Sequence, residues 1–147
     1  MSHKAISLEN ITPESYAPYG RVIDWTPELE AAGRPFHIVE RSPEPTGWRL
    51  ALLKVVAKAA ERMEHHPNTI ELFAPTAGRA ALLLAEPGPF DEGAVHAFLL
   101  DRPVTVGAGV WHAVIALSAS ATILIAENLD VTGVREPLSQ PLRVTVG

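Results

Sequence analysis

The sequence predicts an all-β domain arranged as an antiparallel β-barrel or jelly roll, with short helical turns near its start. Its strand-like segments are short, follow one another closely and are bounded by Pro, Gly, Asp or Asn. The 13 prolines and 10 glycines are scattered along the chain and do not gather in one linker. Several short strands at such spacing are typical of sandwiches and barrels. The clearest predicted strands are residues 50–56, 69–73, 79–85, 95–100, 110–118 and 122–127.

A repeated Thr-Pro-Glu sequence predicts the two helical turns, one beginning at Thr12 and one at Thr26. Thr can cap the free N–H groups of a helix, and Pro fits the first helical position. Pro18 should end the first turn and Gly33 the second. Two further strands are predicted nearby, at residues 21–25 and 36–40.

Residues 49–63 fit either a helix or a strand. Ala, Leu, Lys, Glu and Arg are good helix formers, and Lys54 and Lys58 have the spacing of one helical turn. We favour a strand over 50–56 because the segments that follow are strand-like and closely spaced. The predicted strand at 110–117 is apolar on both faces except for His112, so both faces should be covered. One cover would be a facing sheet, and the other a partner subunit or the N-terminal segment.

Composition limits the classes of function. With 147 residues, 47% of them hydrophobic, the chain can bury one core, so we expect a single domain over 1–147. A net charge of −5 disfavours nucleic-acid binding. There is no cysteine, so a metal must be held by His and carboxylate. The first residues lack the apolar core of a secretory signal, and no apolar run reaches the roughly 18 residues of a membrane span, so we expect a soluble cytoplasmic protein.

Two short motifs carry side chains suited to chemistry. In the first, Glu64 and His66 precede a Pro-Asn turn, and Glu71 follows five residues after His66, so that these groups can meet from adjacent strands. In the second, His112 follows a pair of glycines that permits a tight turn. The alternative is structural: Glu64 would be a surface residue, and His112 a hydrogen-bonded core histidine. By strand alternation, His65 should point away from His66.

Together the two motifs resemble those of the cupin superfamily. The first cupin motif reads His-x-His, four residues, Glu, six residues, Gly, and here Glu64 replaces its leading His while Gly78 matches its glycine. In the second motif, Gly107 replaces Pro and Ala116 replaces Asn, while Gly109 fits. The resemblance implies a cupin-type barrel. It also implies a divalent ion such as Ni, Mn, Fe or Zn, with the ligands Glu64, His66, Glu71 and His112.

A narrower resemblance, to the ureidoglycolate lyase family, covers most of the chain. It rests on residues 11–23, Glu-His-His-Pro at 64–67, Phe73 with Pro75, and Val-Trp-His at 110–112. Members of that family are cupin-like barrels, usually dimeric, that cleave ureidoglycolate to glyoxylate and urea. The resemblance therefore implies a lyase of purine catabolism that forms a homodimer and takes a small anionic substrate.

For such an elimination, His112 or Glu71 would accept the hydroxyl proton, and His66 or a metal would polarise the substrate. Lys54 and Arg79 are the candidate cations for the anionic substrate, because they lie in strands expected to border the barrel. The alternatives are another metal-dependent cupin enzyme that acts on a small polar metabolite, and a non-catalytic cupin that binds a small molecule.

Overall fold

A computed structural model describes residues 3–146. Most of them form β-strands, as predicted. The helices are α1 (Pro13–Tyr16), α2 (Pro27–Ala32) and a 3₁₀ turn (Glu92–Ala94). The strands are β1 (Lys4–Glu9), β2 (Trp48–Val55), β3 (Ala60–His65), β4 (Glu71–Ala85), β5 (His96–Leu99), β6 (Val104–Val106), β7 (Trp111–Asn128) and β8 (Val134–Thr145).

Two long strands, β4 and β7, pair with each other in antiparallel fashion along most of their length and organise the fold. The second half of β4 (80–85) pairs with the first half of β7 (111–116), and the first half of β4 with the second half of β7. Between the halves the ladder is irregular at Gly78, whose φ is +69°. A Cβ there would stand 2.0 Å from the Ser120 carbonyl oxygen, so only glycine fits.

The β4 and β7 halves belong to two four-stranded layers. In the first layer the order is β3, β7, β4, β5, and in the second it is β2, β7, β4, β6. One apolar cluster joins residues of both layers, including Phe73, Leu82, Phe98 and Ile123. This is the interior of a jelly roll.

The terminal strands β1 and β8 cover the other face of the first layer. Because β1 pairs with β5 and β8, and β8 pairs with β3, six strands close into a barrel. Its interior is a second apolar cluster that includes Met63, Leu83, Trp111 and Ile115. The first half of β7 is therefore covered on both faces, by the facing layer and by strands from the two ends of the chain. The predicted all-β barrel is confirmed; its strands pair in antiparallel fashion except β1, which is parallel to both β5 and β8.

The two predicted helical turns are confirmed with their caps. The Thr12 hydroxyl accepts from Ser15 N at 3.0 Å, and the Thr26 hydroxyl accepts from Leu29 N at 3.2 Å. Gly33 ends α2 in the left-handed conformation. None of the described helices is long and apolar enough to cross a membrane.

Some predicted strands differ from those observed. The strand at 50–56 is confirmed as β2, but 69–73 and 79–85 are parts of one strand, as are 110–118 and 122–127. The predictions for 21–25 and 36–40 are wrong: the first makes one isolated bridge, through Val22, and the second is a loop. Their apolar side chains suggested strands, yet Phe36 and Ile38 are 77% and 53% exposed.

Candidate functional site

Strand β3 places its alternate side chains on opposite sides of the first layer. Arg62, Glu64 and, just past the strand, His66 line a cavity between the two layers of the jelly roll. Met63 and His65 face the closed barrel instead, where the His65 ring lies 4.3 Å from that of Trp111. His65 and His66 therefore point to opposite sides, as strand alternation predicts.

Glu71 and His112 reach the same cavity from β4 and β7. Glu64 is paired directly with His112 in the ladder between β3 and β7. The expectation that His66 and Glu71 approach from adjacent strands is wrong, because β7 separates β3 from β4. Glu71 comes close because the Pro-Asn turn at residues 67–68 carries the chain across the layers.

The four side chains predicted as ligands meet at short distances. His66 Nε2 lies 3.5 Å from Glu64 Oε1 and 3.5 Å from Glu71 Oε1. His112 Nε2 lies 3.4 Å from Glu71 Oε1. Glu64, His66 and His112 each offer a ligand atom within 4.8 Å of the others. Glu71 touches both imidazoles but stands outside that three-residue group.

Both imidazoles direct the same nitrogen at the cavity. Nδ1 of His66 lies 2.9 Å from the Thr132 carbonyl oxygen, and Nδ1 of His112 lies 3.1 Å from that of Val110. Because a carbonyl only accepts hydrogen bonds, each Nδ1 carries a proton, so in the neutral ring it is Nε2 that offers a lone pair. This is the tautomer in which a histidine binds a metal through Nε2.

Burial shapes the ionisation of the site. Burial lowers the pKa of His112 to about 4, which keeps its imidazole neutral. Burial, together with a hydrogen bond to Glu127, raises the pKa of Glu71 to about 9. Burial acts against ionisation of Glu127 as well, but hydrogen bonds from Glu71 and Arg49 hold the pKa of Glu127 below its ordinary value. Of this pair, Glu71 is therefore the protonated partner and Glu127 the carboxylate.

The cavity has a volume of about 760 Å³ and includes three arginines that the sequence did not single out. Arg49 Nη2 lies 2.7 Å from Glu127 Oε2, a pair in register between β2 and β7. Arg135 Nε lies 2.9 Å from Glu64 Oε2, a pair in register between β8 and β3. The third, Arg62, precedes Glu64 by two residues on the same face of β3.

Glu127 is the other residue that sequence reasoning missed. It follows Ile123 and Ile125 at alternate positions, and both of these are buried in the jelly-roll interior. That alternation was a usable signal, because it places the carboxylate on the inner face of β7. The arginines gave no such signal, since their positions depend on pairing with strands distant in sequence.

Lys54 and Arg79, predicted to bind the substrate, lie outside the cavity lining. Leu53 faces the cavity, so alternation along β2 turns Lys54 to the opposite face, where it is exposed. Arg79 follows the irregular Gly78 position and is also exposed. Position in a strand that borders the barrel was not sufficient to identify a residue of the cavity, because the direction of a side chain depends on the register of its strand.

The residues present fit a divalent metal ion. Two imidazole nitrogens and a carboxylate oxygen form a donor set suited to Zn, Ni, Fe or Mn, with room in the cavity for a further ligand. Arg135 holds the second oxygen of Glu64, which leaves Oε1 directed at His66. Supporting contacts of this kind orient metal ligands in proteins.

No protein-family model matches the chain, and no curated protein sequence matches it. Among solved structures, it is similar to a dTDP sugar isomerase from Desulfovibrio desulfuricans G20, with 16% identity, coverage of 67% of this chain and 69% of that chain, and a TM-score of 0.45. It is also similar to the S161A mutant of Bacillus subtilis oxalate decarboxylase, with 19% identity, coverage of 88% and 30%, and a TM-score of 0.46.

A further structure of the same decarboxylase, from work on its Mn(II) centres, is 16% identical over 92% of this chain and 30% of that one, with a TM-score of 0.45. The chain thus spans about 30% of the length of the decarboxylase. Similarity at this level gives no information about activity, which has to be inferred from the residues of the site. The chain is a β-barrel protein whose cavity holds a His/Glu group able to bind a metal ion.

Proposed function

We propose that the chain is a metal-dependent enzyme that acts on a small carboxylate, and that its reaction is the cleavage of ureidoglycolate to glyoxylate and urea. One observation carries the proposal: two motifs some forty residues apart in sequence converge on a single cavity, with His66 and His112 each within 3.5 Å of Glu71. The choice of ureidoglycolate rests on the resemblance of residues 64–67 and 110–112 to the lyase family.

Glu64, His66 and His112 would hold the ion, through the three donor atoms that already face one another. A divalent metal in this place would supply Lewis-acid chemistry to the hydroxyl and carboxylate oxygens of the substrate. The burial of the two imidazoles supports a built site: their side chains are 12% and 8% exposed, yet each directs its Nε2 at the cavity.

Glu71 and Glu127 are suited to moving the protons. In the elimination, the hydroxyl O–H bond breaks and a C=O bond forms, the C–N bond breaks, and the departing urea nitrogen gains a proton. The two carboxyl groups share one proton, so one of them can donate to the nitrogen while the other accepts the hydroxyl proton. Transfer along their hydrogen bond then restores the starting state.

Metal content and urea release test the proposal together. Purified protein should contain close to one equivalent of a divalent metal, and it should release urea and glyoxylate from ureidoglycolate. His112→Ala should lose both properties, and His37→Ala, which alters an exposed loop histidine, should keep both. Metal without urea release would favour a metal-dependent enzyme with another small substrate. Neither metal nor urea release would leave a non-catalytic binding protein.

We also propose that the chain forms a two-fold homodimer through the outer face of β2. Among the described strands, β2 pairs only with β7, so its other edge is open. Trp48, Leu50 and Leu52 on its outer face are 70%, 59% and 73% exposed. Such contiguous apolar surface is typical of subunit contacts. Sedimentation at micromolar concentration should show a dimer, and Leu52→Lys should shift it to a monomer. A monomeric parent protein would refute the proposal.

A further inference from the structure

The three arginines of the cavity differ in what holds them. The guanidinium groups of Arg49 and Arg135 are each bound to a carboxylate of the site, at 2.7 and 2.9 Å. Arg62 makes no ion pair within residues 3–146. It is an exposed residue of the cavity lining with five N–H donors free for a ligand.

The position of Arg62 fits a ligand that also touches the His/Glu group. Arg62, Glu64 and His66 follow one another at alternate positions of an extended chain, so successive members lie roughly 7 Å apart along the cavity wall. The long arginine side chain can cover that separation. Glu64 is paired with His112, one such step from Arg62, so a small molecule seated against Glu64 and His112 would have its far end within reach of Arg62.

We infer that Arg62 binds the carboxylate of the substrate and so makes the cavity selective for small hydroxy acids over their neutral analogues. The inference rests on the proposed function and adds to it the residue that recognises the anion. Arg49 and Arg135 are poorer candidates, because binding a substrate carboxylate would draw them away from Glu127 and Glu64 and leave those acids unpaired in the cavity. A guanidinium group also matches a carboxylate with two parallel hydrogen bonds.

Two probes of nearly equal shape separate recognition of charge from recognition of shape. Glycolate is a hydroxy acid with one carboxylate, and glycolamide is its neutral amide. Dissociation constants for both would be measured by ligand-observed NMR on the metal-loaded protein, as the parent chain and as Arg62→Gln, Arg62→Lys and Arg143→Gln. Arg143 is a matched control, because it is an exposed strand arginine outside the cavity lining.

The parent chain should bind glycolate more tightly than glycolamide. Arg62→Gln should weaken glycolate binding by about 10- to 100-fold, the usual range for a lost charged hydrogen bond, and leave glycolamide binding unchanged. Arg62→Lys should recover part of the affinity, and Arg143→Gln should match the parent chain. Equal glycolate affinity in Arg62→Gln and the parent chain would overturn the inference, as would a parent chain that does not bind glycolate.

Urea-release kinetics distinguish this inference from the proposed function. If the parent chain cleaves ureidoglycolate and Arg62→Gln does so with unchanged KM, the lyase stands and the role of Arg62 is refuted. If no urea is released but glycolate binding depends on Arg62, the anion site stands and the lyase is refuted. Thermal unfolding of each variant controls for folding, and the exposed position of Arg62 predicts little change in Tm.

Discussion

His65 and His66 are neighbours in sequence with the same side chain, yet the two faces of β3 give them opposite surroundings. His65 packs against Trp111 inside the closed barrel, among side chains such as Met63. His66 faces the jelly-roll cavity, with Glu64 and Glu71 each 3.5 Å from its Nε2. The difference shows that strand alternation, more than residue type, separates the stabilising face from the chemical face.

The two faces also differ in how their polar atoms are satisfied. On the cavity face, the Nδ1 of His66 is bonded to the Thr132 carbonyl, so the ring is held while Nε2 stays free for a ligand. On the barrel face, the Nδ1 of His65 is buried without a hydrogen-bond partner in the described structure. A substitution on the cavity face should therefore change binding, and one on the barrel face should change stability.

The largest expected effect is that of His66→Ala on metal affinity. Loss of a direct ligand should weaken binding by about 100-fold or more, beyond the range seen when only a supporting contact is lost. The free energy of unfolding of the metal-free protein should change little. His65→Ala is the matched control and should keep metal affinity. Isothermal titration with Ni²⁺ or Mn²⁺ measures the metal affinity of the two variants. An equal loss of metal affinity in both would contradict the assignment of the faces.

Met63→Ala should produce the next largest effect, on stability alone. Met63 is fully buried in the barrel, and truncating a buried Met or Leu to Ala typically costs about 2–5 kcal/mol. Urea denaturation of the metal-free protein would measure the change. Arg62→Gln, one residue earlier but on the cavity face, should cost less than about 0.5 kcal/mol. A similar cost for both variants would show that β3 does not divide the molecule in this way.

A smaller effect on metal affinity is expected from Arg135→Gln. Arg135 holds Glu64 by a hydrogen bond of 2.9 Å, and losing such a supporting contact should weaken metal binding by about 10-fold. Arg135→Lys should recover part of the affinity, because it keeps the charge without the fork of donors. Affinity that is unchanged in Arg135→Gln would mean that Glu64 needs no support from β8.

Local signals in the sequence were sufficient for the fold class. Thr12 and Thr26 cap their helices as the Thr-Pro-Glu pattern predicts, and the strand chosen over a helix at 50–56 is observed. These signals depend on capping and turn chemistry within a few residues. The convergence of His66 and His112 was implied only by the resemblance of the two motifs to those of the cupin superfamily, because it depends on the long-range pairing of β3 with β7.

The parts that were missed depend on long-range pairing. Strand β8 contains Pro137 and Pro141, and prolines within a segment argue against predicting a strand there. The strand nevertheless closes the barrel and supplies Arg135. Lys54 was predicted to bind the substrate because it lies in a strand expected to border the barrel. That strand is observed, but its register turns the Lys54 side chain outward. The cations of the cavity could be identified only once the strand partners were known.

The most direct test of the central claim is a crystal structure of the protein grown with Mn²⁺, with data collected for anomalous scattering. Because three donor groups meet in the cavity, we expect one strong anomalous peak there. It should lie roughly 2.0–2.3 Å from Nε2 of His66, Nε2 of His112 and a carboxylate oxygen of Glu64. Absence of a peak between those three side chains at saturating Mn²⁺, or a peak held by other residues, would contradict the account.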